Sequence, residues 1–217
     1  MKFKTALPSS AFIRIYNNKS TIMKTKNIFK AFLFVSILSL GACNSTKDTA
    51  TMNDKNMTVM VGGAAMYPTK NIVENAVNSK DHTTLVAAVK AADLVTTLQG
   101  DGPFTVFAPT NAAFDKLPAG TVASLLEAEN KKQLQNVLTY HVVAGKYSAT
   151  DIMNAIKKGN GKAMFTAVNG GKLTASMSGK NVIITDANGG TSTVTIADVN
   201  QSNGVIHVVN TVMLPGM

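Results

Sequence analysis

The sequence predicts an α+β domain, on three observations. Apolar stripes at helical spacing run through the part of the chain after residue 70, and short β-branched runs divided by glycine turns fill the part after residue 168. One strand-like stretch, Phe104-Thr-Val-Phe-Ala-Pro109, interrupts the helical part and must feed the later sheet. In it Phe104, Val106 and Ala108 alternate with Thr105 and Phe107, and Pro109, which has no N–H for a ladder, ends the run. Thr110 or Asn111 can then cap a helix carrying Ala112, Ala113, Phe114 and Leu117.

Taken in order, Ile72, Val73, Ala76 and Val77 form the first helical stripe. Leu85, Val86, Val89 and Ala92 form a second, entered through Ser79 or Asp81 as caps. Val122, Leu125 and Leu126 give a short helix after Pro118, and Leu134, Val137 and Leu138 give a longer one ending near Tyr140-His141. Ser148 and Asp151 have the spacing of a capping box, ahead of a small helix around Ile152 and Ile156.

Turn signals at Asn169-Gly170-Gly171, Ser178-Gly179, Asn188-Gly189-Gly190 and Asn203-Gly204 divide the second half. They predict strands over 172–177, 182–186, 193–198 and 205–209, with a last strand from Thr211 stopped by Pro215. The alternation Thr193/Val194/Thr195/Ile196 is that of a half-buried antiparallel strand.

Charge is unevenly placed along the 217 residues. Seven Lys or Arg and no acidic residue precede Cys43, so the remainder has 14 basic and 12 acidic residues and a formal charge of +2, not +9. After residue 42 there is no Arg and no Trp, which argues against a nucleic-acid partner. Read from Met23, a basic segment leads into the ten-residue apolar run Ala31–Leu40 and then Leu40-Gly41-Ala42-Cys43. That run is too short to span a bilayer and reads as a signal peptide over residues 1–42, with Met23 as a candidate true start. Its ending resembles a bacterial lipobox, which implies lipidation of Cys43, stable anchoring and a membrane partner reached through lipid. The alternative is an ordinary signal peptide with a chance cysteine. Asn44 in place of an inner-membrane retention Asp favours the outer membrane.

Residues 43–70 read as the lipidated cysteine and a flexible linker, with an r.m.s. span of about 30 Å if fully flexible. Within it, Val59–Tyr67 is uncharged and can dock on the domain edge. Met52, Met57, Met60 and Met66 could be imagined as a thioether site, but no His or Cys stands near them and no metal is expected. Residues 71–217 form one domain, long enough to bury about two-thirds of its unfolded surface.

Three ordered motifs within this span resemble the fasciclin domain family. They are Thr105–Phe114, the dipeptide Tyr140-His141 before Val142-Val143, and Asn203-Gly-Val-Ile-His-Val-Val-Asn210 with Val212-Met-Leu-Pro215. The resemblance implies a wedge of two small β-sheets packed with an N-terminal helical layer. It also implies adhesion, in which the Tyr140-His141 pair has been tied to binding, although His141 equally continues the apolar stripe from Leu134 as a buried structural histidine. His207 alternates with Val205 and Val209 and reads as packing, and His82 as solvated. Asp151-Ile152-Met153 superficially resembles an adhesion tripeptide of animal relatives, but it starts a helix far from the C-terminus.

No G-x-S-x-G, P-loop, G-x-G-x-x-G or H-E-x-x-H motif is present, and the single thiol is Cys43. No catalytic residue, metal site or cofactor is therefore expected. The reading is a monomeric, non-catalytic envelope lipoprotein that binds an extracellular protein or polysaccharide. A carrier of a small apolar ligand is the alternative, and an unrecognised hydrolase a remote third.

Overall fold

The computed structural model describes residues 57–216; the leader, Cys43 and the first part of the expected linker lie outside them. The chain opens with a hairpin, β1 (Val59–Val61) and β2 (Ala64–Met66). The helical layer follows, as α1 (Ile72–Ala76), α2 (Thr83–Ala91) and α3 (Val95–Gln99). Next come β3 (Phe104–Pro109), α4 (Asn111–Phe114), α5 (Thr121–Leu126), α6 (Lys131–Tyr140), β4 (Val142–Ala144) and α7 (Ala149–Lys158). The second half is β5 (Lys162–Thr166), β6 (Lys172–Ser178), β7 (Asn181–Thr185), β8 (Thr191–Gln201) and β9 (Gly204–Val209). The architecture is α+β.

The larger sheet has the order β4-β3-β9-β8-β7-β6-β5. It is two smaller sheets joined through β8, whose residues 191–193 pair with β7 and whose residues 194–201 pair with β9. Two register shifts between Val194 and Val199 bend β8 from one half to the other. The sheet curls until its outer strands meet, at a bridge between Val143 and Ala167 and a hydrogen bond from Val168 N–H to Val142 O of 2.8 Å.

The pair β3–β9 is parallel, with Phe107 opposite His207, and separates two cores. Phe107 and Val209 face a core with Ile152, Phe165, Leu173, Ile184 and Met213, covered by α7. Val106, Ala108, Ile206 and Val208 face the other, with Val61, Met66 and Ile72. A strand buried on both faces cannot alternate apolar with polar, which explains why Val205–Val209 is apolar but for His207.

Three local expectations change. The folded region begins before residue 71: Val61 and Met66 are each 2% exposed, so the hairpin is part of the core rather than tether. Asn111 does not cap α4, and Thr110, its N-cap residue, makes no side-chain cap bond. Asn111 instead crosses to the entrance of α2, accepting from Thr84 N–H at 3.0 Å and donating to Lys80 O at 2.9 Å. The segment after Thr211 is irregular, because its backbone bonds side chains (Ser192 Oγ to Thr211, His141 Nε2 to Met213) instead of a neighbouring strand. The Ser148–Asp151 capping box forms, and a second, Asn71–Glu74, opens α1.

The turn between β8 and β9 anchors the helical layer. Asn203 accepts from Ile72 N–H at 3.1 Å and donates to Leu98 O and Gly100 O, both at 2.8 Å. Gly204 beside it lies so close to β3 that an added Cβ would stand 2.1 Å from Phe104 O. Asn203→Ala is expected to cost about 2–4 kcal/mol in urea unfolding, since it orphans three backbone groups; a loss below about 0.5 kcal/mol would remove this anchoring role.

Candidate functional site

The Tyr140-His141 pair sits where α6 ends and β4 begins, and both side chains turn inward. Tyr140 is fully buried. Its hydroxyl donates to Lys172 O at 2.7 Å and accepts from Ala187 N–H at 2.9 Å, bridging the start of β6 and the turn after β7 at one end of that antiparallel pair. Burial pushes its pKa up, with the Ala187 amide acting in the opposite direction. The ring needs Gly171 beside it, where an added Cβ would stand 2.6 Å from Tyr140 Cε2.

His141 is 3% exposed and caps α6. Its Nδ1–H donates to Val137 O at 2.8 Å, and its Nε2 accepts from Met213 N–H at 3.0 Å. That pattern requires the neutral ring, and burial lowers its pKa to about 4, outweighing the Val137 carbonyl. The pair thus ties the end of α6 to β6, to the turn after β7 and to the C-terminal segment. Neither ring has a polar atom left for a partner.

His207 is likewise spoken for. Its Nε2–H donates to Tyr147 O at 2.9 Å, its Nδ1 faces Asp198 N–H at 3.4 Å, and its ring stacks on Phe107 with centroids 5.8 Å apart. Asp198 lies at the bend of β8 with φ 58° and accepts from Ala149 N–H at 2.7 Å, so the bend also holds the start of α7.

His82, expected in solvent, is 2% exposed. Its Nδ1 pairs with Ser79 Oγ at 2.9 Å, while its Nε2 is buried without a hydrogen-bond partner among the described residues. Burial lowers its pKa, and the nearby Ala108 carbonyl, outside hydrogen-bonding geometry, and Asp81 offset part of that. The short turn Lys80–His82 folds the ring under the hairpin, which local sequence signals did not reveal.

Beside His82 lies a cavity of about 90 Å³ between the hairpin, α1–α3 and the β3–β9 pair. Met66, Ile72, Leu85, Val89, Leu98 and Ile206 are among its walls, which are almost entirely carbon. Water in such a space would lack the two to four polar partners it needs. The cavity is smaller than the roughly 150 Å³ that accepts benzene in an engineered protein core, so it suits a short hydrocarbon segment. Among the described residues, no helix is long and apolar enough to cross a membrane.

The family model of the fasciclin domain matches residues 80–215. The chain belongs to the fasciclin domain family. A relative, Protein sll1483 of Synechocystis sp., is 43% identical over 196 residues, covering 90% of this chain and all of that protein. The cell surface glycolipoprotein MPB83 of Mycobacterium bovis is 28% identical, covering 83% of this chain and 91% of its own length. Among solved structures, the domain pair of the insect cell adhesion molecule Fasciclin I superposes with a TM-score of 0.60 at 17% identity, covering 68% of this chain and 52% of that one. This last likeness establishes the fasciclin fold.

The three histidines make stability depend on pH. Each has a folded pKa below its unfolded value near 6.5, so the unfolded chain binds more protons as pH falls. The stability they confer is complete above about pH 6.5 and declines as pH falls; for His141 the loss runs down to about pH 4 and is worth roughly 3 kcal/mol. The urea midpoint is expected to fall steadily between about pH 7 and pH 4.5; a constant midpoint would contradict neutral, buried rings. Tyr140→Phe, which keeps the ring and removes both hydroxyl bonds, is expected to cost about 1–3 kcal/mol. If the variant melts like the parent, the hydroxyl is not a fastener.

Proposed function

We propose that this is a lipid-anchored envelope protein whose fasciclin domain mediates adhesion by non-covalent binding to a cell, matrix or polysaccharide, and that it is not an enzyme. The observation that carries the reading is the likeness to a cell surface glycolipoprotein along 91% of that protein's length. Two features agree with it. His141 and His207 are buried with both ring nitrogens turned to backbone groups, and the Tyr140-His141 motif fastens the fold from within. Binding then falls to the outer faces of the domain. Lipidation at Cys43, which lies outside the described residues, supplies the anchor, and the outer membrane is the proposed location.

A second reading, a carrier of a small apolar ligand, is favoured by the cavity behind the hairpin. Its size limits the cargo to a short chain or to the end of a longer one.

Protease treatment of intact cells tests the first reading. The domain is expected to disappear from an immunoblot without opening the outer membrane, and a deletion strain is expected to adhere less than its parent. Protection of the domain in intact cells, together with unchanged adhesion, would reject it. For the second reading, native mass spectrometry of protein taken from the envelope is expected to show a bound hydrocarbon mass that Leu85→Trp, which fills the cavity, removes. Apo protein alone would reject the carrier.

A further inference from the structure

The outward face of strands β5–β8 carries a pattern that neither the fold nor the buried motifs explain. The ladder places Met164, Thr174, Thr185 and Thr191 in one cross-strand row. Lys162, Ser176, Ile183 and Thr193 form a second, and Thr166 stands opposite Lys172 in a third. The intervening positions, Ala163, Phe165, Leu173, Ala175, Val182 and Ile184, all point into the core. The result is a platform four strands wide, with strands about 4.8 Å apart, dominated by hydroxyls and two lysines.

Basic residues gather around the ends of these strands. From Ile152 to Thr185 the chain has five lysines (Lys157, Lys158, Lys162, Lys172 and Lys180) and no Asp or Glu. Elsewhere in residues 57–216 seven lysines meet ten acidic residues. Lys157 and Lys158 end α7 and are joined to Lys162 by a turn closed by Lys162 N–H to Gly159 O at 3.2 Å. Lys180 stands in the adjacent β6–β7 turn, since Ser178 pairs with Asn181. On the far side Lys172 Nζ donates to Thr166 Oγ1 at 2.7 Å, keeping its charge over the platform. The flanking acid, Asp186, is turned into its own loop, accepting from Gly190 and Leu214 N–H.

Resting on the adhesion reading, we propose that this face binds an acidic polysaccharide, laid across β5–β8. Lysines meet its carboxylates, and Thr174, Ser176, Thr185, Thr191 and Thr193 offer hydroxyls that both donate and accept toward sugar oxygens. The composition selects this partner over others. Among the described residues, no aromatic ring of this face points outward to stack on a neutral sugar or a nucleobase, and no Arg is present there for bidentate base or phosphate recognition. Met164, 75% exposed, and Ile183 are the apolar side chains on the face, too few to anchor it in a lipid interface.

The test titrates the full chain with polygalacturonate, with neutral dextran and phosphatidylglycerol vesicles in parallel. Polygalacturonate is expected to bind, more weakly as salt rises, and dextran is not. Lys162→Gln with Lys172→Gln is expected to weaken binding about tenfold, whereas Lys90→Gln with Lys132→Gln on the helical layer leaves it unchanged. Both pairs are on the surface, and equal melting temperatures check that they fold. Met164→Glu, which adds an opposing charge without touching a lysine, is expected to weaken binding too. Equal binding by the platform variants, no binding to polygalacturonate, or binding to vesicles alone would overturn the proposal. Adhesion separates its failure from that of the broader reading. Cells with the platform lysines replaced that still adhere, while a deletion strain does not, refute the platform alone; a deletion strain that adheres normally refutes adhesion itself.

Discussion

The parallel pairing of β3 with β9 is the constraint on which the rest of the structure depends. It brings residues about one hundred positions apart into register, Phe104 opposite Gly204 through Pro109 opposite Val209. Because both faces of the pair are covered, the two cores share one wall. A shift of one residue would exchange their side chains and place His207 among the aliphatics behind the hairpin. Gly204 locks the register at one end, where nothing larger fits against Phe104 O. Thr105 contributes from within the pair, its Oγ1 donating to Gly145 O at 2.7 Å and accepting from Tyr147 N–H at 2.9 Å. The loop after β4 is thereby pinned to β3, and His207 on β9 holds the same loop through Tyr147 O.

Much of this arrangement is legible in the residues. The run Phe104–Pro109 and the turn Asn203-Gly204 mark both partners, and the glycine turns place the bounds of the later strands within three residues of where they fall. β5 was hidden because Lys162-Ala-Met-Phe-Thr166 alternates lysine and threonine with alanine and phenylalanine and follows a helix with no β-branched run to announce it. The hairpin was hidden for a different reason. Val59–Met66 is bracketed by polar, linker-like sequence, and what makes it structure is the pocket that Ile72, Val106 and Ile206 offer from far along the chain. Tertiary burial overrode composition there. The same holds for His82, whose surroundings are assembled from Ser79, the hairpin and the cavity wall, so no local pattern could place it inside.

The Tyr140-His141 motif illustrates how a family signature can be architectural. Its two polar side chains satisfy backbone groups at residues 137, 172, 187 and 213, which belong to four separate segments. Replacing any of these contacts with apolar contact would leave buried amides or carbonyls unpaired, each costing about as much as a lost hydrogen bond. The sequence alone left structure and binding open for this pair, since periodicity locates a residue on a face without saying which atoms await it there. The candidate outer face was readable only after the ladder had been fixed. Lysines and hydroxyls scattered over thirty residues become one surface only through register.

The hairpin has a mechanical consequence. Its own strands are held by three backbone pairs, it is tied to the rest of the fold by a bond from Lys80 N–H to Gly62 O and a few buried side chains, and it stands outside the seven-stranded sheet. Tension entering the chain at Met57 therefore reaches this small unit and α1 before it reaches any strand of the main sheet. The hairpin can peel away at a fraction of the free energy needed to open the β3–β9 wall. A domain under load would lengthen by a short, recoverable step while its outer surfaces kept their shape, like a fuse placed ahead of the machine.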